Sequence, residues 1–571
     1  MTSTDHTAAN GRRNILTWLL ILAGLVHLAL VLLLASVPPV SRDALNHHLA
    51  IPKMYLLQGG IVEIPTMHFS YFPMNLDLLY LLPLAAGFDI GAKYLHFAFA
   101  LLTAALLYRY LRNTLDRTCG LLGTLLFLTV PVVVKLSVTA YVDLGLIFFS
   151  FACLFFFLRW CDTNFRTAHL VAAGVACGLA LGTKYNGLIL LLIMAALIPL
   201  VYSRQRNQQV AAGDHRERNK QSLLGLLQGG IFVLVALLVF SPWMVRNTLW
   251  IGNPVYPLYN SVFNPPAQEV SADEQQEKEP PRNAFWQRKN IYNESFLQTI
   301  TIPVRAFFQG QDDNPKYFDG RLNPFLLLLP LAAFVRRKGD TSGLPVNHRN
   351  ILALFAAAYI LFVLFQTDFR IRYMAPAIPP LVVLAVAGVY NLLQWVSGWS
   401  RLIGKIGQAG VALVLLLAFV YNGQYLVEQF RIIRPLDYLT GKVDRDGYVS
   451  RFRTEHPVMV RANAILPEDA RVLCLSIGDR TYYLDRQAHL AEDFYDQTGG
   501  DYDEEQIEER MMRHGTTHII FNRAVFLDWA SQLPEYDRAI FENVFSRRTK
   551  LLYEENGVQL LELLPTGVNN S

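Results

Sequence analysis

Two aspartates border apolar segments, where a carboxylate could do chemistry. Asp43 follows a Pro-Pro pair at the end of the first apolar run and opens a helical stretch over 44–58. Asp143 heads another apolar run, within the sequence Thr-Ala-Tyr-Val-Asp. Two carboxylates that converge on one cleft suit general-base work or cation binding near a phosphate leaving group. The alternatives are a helix cap for Asp43 and a partner of the helix dipole for Asp143.

Histidines near the first aspartate raise the question of a metal. His47 lies one helical turn beyond Asp43, so the two side chains can share a face. Such a pair could transfer a proton or bind a divalent metal ion. His48 and His68 are nearby, and interfacial histidines also occur without any ligand role. A metal therefore remains one alternative, and no other cofactor is expected.

Basic residues stand at the ends of several apolar runs. Lys184 lies between two runs, Arg246 ends a third, and Arg370 and Arg372 precede a fourth. The span count given below places these ends on the outer face, where Lys and Arg are normally scarce. A cluster there predicts binding of a lipid phosphate or diphosphate. The alternative is that each side chain snorkels to lipid headgroups.

The composition indicates a membrane protein. Of 571 residues, 53% are hydrophobic and only 17% are charged, against about a quarter charged in soluble domains. A net charge of +4 without a basic, aromatic-interleaved tract excludes a nucleic-acid partner. The five cysteines form no CxxC pair, which argues against a disulfide framework or zinc knuckle. No G-x-S-x-G or H-E-x-x-H motif occurs.

Charge asymmetry sets the number of membrane spans. If residues 76–88 crossed the membrane, most Lys and Arg residues of the later loops would lie outside. If this segment lies at the membrane surface instead, those residues lie inside, as the positive-inside rule requires. With a cytoplasmic N-terminus, this count predicts about eleven spans and an external C-terminus. The predicted spans are 15–37, 92–110, 118–137, 143–158, 168–183, 185–203, 222–244, 322–335, 350–367, 373–395 and 407–425.

The same count divides the chain into three parts. Residues 1–14 are predicted to be cytoplasmic, 15–428 to form the membrane domain, and 429–571 a soluble extracytoplasmic domain. External loops are expected at about 38–91 and 245–321, and the polar stretch 271–282 is expected to be mobile. The tail alternates strand-like runs (470–476, 517–521) with a helical run (504–512), which predicts a small α/β domain.

Five features stand together in the sequence. They are the acidic Asp43 after the first span, the Tyr-x-Asp ending at Asp143, the Gly-x-x-x-Gly-Thr-Lys turn ending at Lys184, Ser241-Pro-Trp-Met-Val-Arg-Asn247 with Gly252-Asn-Pro-Val-Tyr-Pro257, and Arg372-Tyr-Met-Ala-Pro-Ala-Ile-Pro379. Together they resemble the GT-C glycosyltransferases, specifically the protein O-mannosyltransferase and lipid A aminoarabinose transferase (ArnT-like) group. The resemblance covers about residues 15–425.

The resemblance implies a fold and an activity. The implied fold is a polytopic α-helical GT-C-like domain with about 11–13 transmembrane helices and juxtamembrane helices in the first external loop, plus the small α/β domain. The implied reaction moves a sugar from a polyprenyl-phosphate-linked donor to a lipid, glycan or protein acceptor, with inversion. Asp43 would be the general base or acceptor-orienting carboxylate, and Asp143 the second acidic residue. Contacts to the donor phosphate would come from Lys184, Arg246, Arg370 and Arg372.

Two departures from the group's pattern stand out. Ala44 follows Asp43 where many relatives have Asp-Glu, and Ser70-Tyr-Phe-Pro-Met74 replaces a lysine-containing motif of the first loop.

A rival interpretation is a non-catalytic transporter or flippase of lipid-linked saccharides, which typically has ionisable groups near the bilayer midplane. The candidate charges lie instead at span ends, which favours the enzyme. The expected location is a bacterial inner membrane.

Overall fold

The computed structural model describes residues 3–211, 214–265, 284–335, 343–366, 368–490, 494 and 503–565, with side chains from Ile15 onward. The 271–282 stretch lies outside these residues. The first part of the chain is almost entirely helical. Its helices are α1 (Ser3–Ala35), α2 (Ala50–Leu57), α3 (Asn75–Ala85), α4 (Ile90–Thr114), α5 (Arg117–Thr129), α6 (Pro131–Ser137), α7 (Asp143–Asp162), α8 (Thr167–Leu181), α9 (Gly187–Asn207) and α10 (His215–Ile251).

The second part follows an irregular segment and contains further membrane helices. Its helices are α11 (Asn260–Phe263), α12 (Ala284–Asn290), α13 (Phe296–Ile300), α14 (Ile302–Gln309), α15 (Phe325–Ala332), α16 (Val346–Leu364), α17 (Ile378–Ser397) and α18 (Arg401–Ile433). A π-helix (Ala44–His48) and 3-10 turns (His68–Tyr71, Pro315–Tyr317, Ile371–Ala377) occupy the connections. Among the candidate spans, the one containing α17 is the most buried and α18 is the least buried, so α18 lies at the periphery of the helix bundle.

Fewer helices qualify as spans than the eleven predicted. Among the described residues, eight helices are long and apolar enough to cross a bilayer, or nine if the bent pair α5–α6 is one span. The 118–137 run bends by 68° at Pro131, because a proline cannot continue the hydrogen bonding of the preceding helix. The 168–183 and 322–335 runs form only α8 and the eight-residue α15, about 12 Å long. Helix α3 has 11 residues, too short to cross.

The ends of these helices define two faces. On one face the tail contacts the membrane domain, since the Tyr482 amide donates to the Leu45 carbonyl at 3.1 Å. On the opposite face His348, early in α16, pairs with Asp162 at the end of α7 at 2.9 Å. Basic residues collect near this opposite face: Arg109, Arg112, Arg117, Arg159, Arg166, Arg204, Arg206, Arg349, Arg401 and Lys405. Their placement agrees with the charge asymmetry of the sequence.

The tail is a small α/β domain, as predicted. Its helices are α19 (Pro435–Leu439), α20 (Arg445–Phe452), α21 (His456–Ile465), α22 (Glu504–Met512), α23 (Arg523–Ala530) and α24 (Glu535–Arg548), and its strands are β1 (Arg471–Leu475), β2 (Gln487–Leu490), β3 (His518–Asn522), β4 (Thr549–Glu555) and β5 (Val558–Leu563). The sheet order is β2-β1-β3-β5-β4. Strand β1 is parallel to both neighbours, while β5 is antiparallel to β3 and β4. Apolar clusters cover both sides of the sheet.

Candidate active site

A cavity of about 530 Å³ lies on the tail face, between the membrane helices and the tail. Its apolar wall comes from the ends of α1, α6 and α18. Seven basic and three acidic residues line the rest, namely Arg42, Lys93, Lys135, Arg370, Arg372, Arg453 and Arg480, with Asp43, Asp313 and Asp319. This excess of positive charge in a concave, partly apolar site attracts anions.

Asp43 lies in this cavity and is paired with a cation. Arg372 Nη1 donates to Asp43 Oδ2 at 2.6 Å. Asp43 occupies the N-cap position of the π-helix, but its side chain makes no capping hydrogen bond. Burial would raise the pKa of this carboxyl, yet the charge of Arg372, with smaller contributions from two histidines, holds the pKa well below its usual range. The carboxylate is therefore ionised and faces the cavity, and it does not cap the π-helix.

Asp143 lies close to the cavity but does not line it. Its side chain is 1% exposed, and its Oδ1 accepts a hydrogen bond from Lys184 Nζ at 2.8 Å. The Lys184 ammonium lies 5.0 Å from the ring centre of Tyr373, whose ring is also 5.4 Å from the Arg372 guanidinium. Asp143 and Lys184 thus support Arg372 indirectly: Asp143 pairs with Lys184, Lys184 contacts the Tyr373 ring, and that ring contacts Arg372. The structure brings the two predicted carboxylates near one another, and only Asp43 reaches the cavity.

A close helix contact fixes the turn that carries Lys184. The backbone N–H of Asn75 donates to the backbone carbonyl of Gly182 at 2.8 Å. A Cβ at Gly182 would lie 2.2 Å from the Asn75 side-chain nitrogen, so any larger residue would displace the Asn75 side chain. The Gly-Thr-Lys turn singled out in the sequence is thus a packing device that positions a lysine.

Arg246 lies away from the cavity and supports the 68–72 segment. Its guanidinium lies between the rings of Trp243 and Trp250, at 4.5 and 4.7 Å from their centres. It donates to the Phe72 carbonyl at 3.1 Å, while the neighbouring Asn247 donates to the Tyr71 carbonyl at 2.8 Å. The Trp-Met-Val-Arg-Asn motif therefore holds the 68–72 segment. Neither Arg246 nor Lys184 is among the described residues that line the cavity.

Arg370 does line the cavity, with two carboxylate partners. It pairs with Asp368 at 2.6 Å and with Asp319 at 3.2 Å. Lys135 approaches the same acidic segment, with its ammonium 3.7 Å from Asp319 and 3.3 Å from Asp313. These contacts tie α6 and the approach to α17 to the 311–319 loop.

The residues around Asp43 do not fit a metal site. The His47 ring is buried and stacks on Phe69 at 4.4 Å, with no hydrogen bond to its Nδ1 in the described part of the chain. Burial, with a smaller contribution from the charge of His48, lowers the pKa of His47 to about 3. Asp43 is engaged by Arg372. No group of three or more His, Cys, Asp or Glu among the described residues could hold an ion.

The tail closes the cavity by binding the chain segment that follows α1. Lys53 donates to the Tyr482 carbonyl and to Asp485, both at 2.7 Å. The Tyr483 hydroxyl donates to the Pro39 carbonyl at 2.8 Å, four residues before Asp43. Arg453, at the end of α20, donates through Nε to the Val40 carbonyl at 2.5 Å. The chain segment that carries Asp43 is therefore held on one side by Arg372 and on the other by the tail.

The sequence interpretation did not single out several cavity residues. Lys93 and Lys135 are buried or half-buried cations at the tail-face ends of apolar runs, the same signal that drew attention to Arg246. Arg453 and Arg480 come from the tail, and no local pattern links that domain to the membrane face. Their role depends on docking, which only the tertiary structure shows.

The membrane helices and the tail together have the GT-C fold of ArnT-like glycosyltransferases. A family model for dolichyl-phosphate-mannose-protein mannosyltransferases matches residues 86–245. No curated protein matches the chain. The sequence resemblance is thus confirmed at the level of fold.

Solved structures are similar to the chain over almost its whole length. ArnT from Cupriavidus metallidurans bound to undecaprenyl phosphate is 14% identical with a TM-score of 0.57, covering 97% of this chain and 99% of that one. The same protein in the apo state is 16% identical, also with a TM-score of 0.57, and covers 97% and 98%. The oligosaccharyltransferase of Archaeoglobus fulgidus tethered with an acceptor peptide is 11% identical with a TM-score of 0.50, covering 95% and 75%.

Proposed function

We propose that this protein is a membrane glycosyltransferase that moves a sugar from a polyprenyl-phosphate-linked donor to an extracytoplasmic acceptor. The observation that carries the proposal is an ionised Asp43 facing a cationic cavity at the membrane surface. The GT-C fold and the family model at residues 86–245 support it. The similar ArnT structure with undecaprenyl phosphate supports the choice of donor lipid. The acceptor is a lipid, a glycan or a protein.

Arg370, Arg372 and Lys135 are the proposed ligands of the donor phosphate. All three line the cavity, and guanidinium groups bind phosphate oxygens through two parallel hydrogen bonds. The apolar wall beside them suits the first isoprene units. It comprises Leu34 and Val37 near the end of α1, Val132 and Leu136 in α6, and Ile432 and Ile433 in α18.

Asp43 is the proposed catalytic carboxylate. A pKa far below 7 makes it a weak base while it is paired with Arg372, and therefore suits it to orienting the acceptor hydroxyl. A donor phosphate at Arg372 competes for the same guanidinium, which weakens the pair and raises the basicity of Asp43. The donor thus prepares the carboxylate that the acceptor needs.

The reaction is a single displacement. The acceptor oxygen attacks the anomeric carbon, the bond from that carbon to the phosphate oxygen breaks, and the polyprenyl phosphate leaves with the electron pair. The acceptor's proton passes to Asp43 and then to water, and the anomeric configuration inverts. Asp143 and Lys184 act as positioning residues through Tyr373 and Arg372.

We place the tail and the cavity outside a bacterial inner membrane and the N-terminus in the cytoplasm. The basic residues near the opposite face support this orientation, because cytoplasmic loops carry most Lys and Arg.

The proposal is tested with full-length protein in proteoliposomes. A panel of radiolabelled undecaprenyl-phosphate sugars serves as donor, with bacterial envelope extract as acceptor. We expect Asp43→Asn to lower the transfer rate about 100-fold or more. Asp469→Asn, an exposed aspartate of the tail, is the matched control and should transfer at the unaltered rate. Normal activity in well-folded Asp43→Asn would refute the catalytic role.

The same vesicles address the transporter alternative. A transporter would move the labelled lipid between leaflets without breaking its sugar–phosphate bond, and Asp43→Asn would then alter lipid movement. The enzyme predicts release of undecaprenyl phosphate that depends on Asp43.

A further inference from the structure

An apolar stripe runs along the short helices α13 and α14, and no described residue covers it. The stripe consists of Phe296, Leu297, Ile300, Val304 and Phe308, which are 40–71% exposed. From Leu297 onward its members recur every three or four residues, so they lie on one side of the helix pair. No Asp, Glu, Lys or Arg occurs from position 295 to position 304. An uncharged apolar surface of this kind indicates a binding surface.

The other sides of the same two helices are already occupied. Ile302, Ala306 and Phe307 are buried against the protein, each at no more than 1% exposure. Arg305 lies on a polar side and donates through Nη1 to the Gln298 carbonyl at 2.6 Å. The exposed stripe is therefore a third side of the helix pair, separate from the buried side and from the polar side.

The stripe is continuous with the exposed side of a membrane span. Helix α16 is a candidate span that begins near the opposite face, and Phe365 is the C-cap residue at its tail-face end. The Phe285 ring lies between the two surfaces, 5.9 Å from the Phe296 ring and 6.3 Å from the Phe365 ring. Leu361, Phe362 and Phe365 are themselves exposed, at the end of α16 where a bilayer would cover them. The stripe therefore begins at the level where α16 leaves the bilayer.

We infer that the stripe of α13 and α14 is a lipid-binding surface that lies in the interfacial layer of the bilayer on the tail face. A helix with one apolar and one polar side lies in the plane of this layer, with its apolar side chains at the boundary of the acyl chains. The two helices have five and eight residues, too few to cross. A soluble partner would have to cover a stripe that runs onto the exposed side of α16, which a bilayer already occupies.

A buried ion cluster connects this surface to the cavity. Arg288 donates to both carboxylate oxygens of Glu294, at 2.8 and 2.7 Å, and Arg305 of α14 donates to the same carboxylate at 2.9 Å. Arg288 also donates to the Lys316 carbonyl at 2.7 Å, within the 311–319 loop that borders the cavity. The lipid contact of α13 and α14 therefore supports a loop of the cavity wall.

Nitroxide labels on single cysteines test the inference in full-length protein whose five native cysteines have been replaced. The protein is reconstituted in liposomes of phosphatidylethanolamine and phosphatidylglycerol. Leu297→Cys and Val304→Cys place labels in the stripe. Gln309→Cys, an exposed position on the polar side of α14, is the matched control. Asp469→Cys in the tail and Leu354→Cys on the exposed side of α16 are the references for water and for bilayer.

The measurement is the ratio of the collision rates of each label with oxygen, which concentrates in the bilayer, and with a water-soluble nickel chelate. We expect the ratio for Leu297→Cys and Val304→Cys to be several-fold higher than for Gln309→Cys and Asp469→Cys, and to approach that of Leu354→Cys. A ratio equal to that of Asp469→Cys would overturn the inference. Spin–spin broadening that disappears on dilution with unlabelled protein would also overturn it, because a second copy of the chain would then cover the stripe. Neither result bears on sugar transfer, which is assayed separately.

Discussion

At the scale of single residues, the pair formed by Asp43 and Arg372 decides what the site can do. The side chains are 21% and 9% exposed, so both charges are largely removed from water. A pair in this position stabilises little in itself, but removing one partner leaves the other charge uncompensated. The pair therefore sets the ionisation of Asp43 more than it holds the fold together.

A double-mutant cycle tests that coupling. We expect Asp43→Asn and Arg372→Gln each to lower the unfolding free energy, and the double variant to lose less than the sum, with a coupling of about 1–3 kcal/mol. Because the pKa of Asp43 is depressed, the stabilisation is present above its unfolded pKa and is lost as pH falls through the folded value. Thermal melts in detergent at neutral pH measure it. The exposed pair Lys550–Glu562 is the control and should couple weakly; equal coupling in the two pairs would contradict the prediction.

At the scale of elements, the close contact between α3 and the turn after α8 places Lys184. We expect Gly182→Ala to lower the unfolding free energy by about 1–3 kcal/mol, because the added methyl would overlap the Asn75 side chain. Gly230→Ala is the matched control. It lies within α10, and a methyl group there would have nothing within 4 Å among the described residues, so alanine should be neutral or stabilising. Equal melting temperatures for the two variants would show that the contact is not tight.

Element scale also shows what the sequence could predict. The long apolar runs and the strands 470–476 and 517–521 follow from local pattern, and both strands are present as β1 and β3. The number of spans does not follow from the local pattern. Pro131 breaks one run, and α15 is shorter than its apolar sequence, because interior helices that pack on protein need not match the bilayer thickness. The sequence interpretation did not identify β2, β4 and β5. Strands β2 and β5 pair with the earlier strands β1 and β3, whereas β4 and β5 form a local hairpin.

The sequence predicts a site residue well when the signal, such as a motif or a position at a span end, is local. Asp43 and Arg372 stand beside motifs and at span ends, and both line the cavity. Asp143, Lys184 and Arg246 carry the same signals but support the site from outside the cavity. Sequence places a charge at a membrane end, while the packing of neighbouring helices decides which way it points.

At the scale of the whole molecule, one face carries the cavity, the chain segment that follows α1, and the tail. If that face is extracytoplasmic, a residue of the tail and a residue of the α9–α10 connection lie on opposite sides of the membrane. Single cysteines test this in a variant lacking the five native cysteines, none of which is in a disulfide. Asp469→Cys and Gln209→Cys place exposed thiols in the tail and in that connection.

We expect a membrane-impermeant maleimide added to spheroplasts to label Asp469→Cys and to leave Gln209→Cys unlabelled until the membrane is permeabilised. The physical reason is the basic residues near the opposite face, which disfavour transfer of that face across the membrane. The control is a permeant maleimide, which should label both. Labelling of both thiols from outside would contradict their placement on opposite sides of the membrane, and labelling of Gln209→Cys alone would reverse the orientation. The cavity would then face the cytoplasm, where an acceptor outside the cell membrane could not reach Asp43.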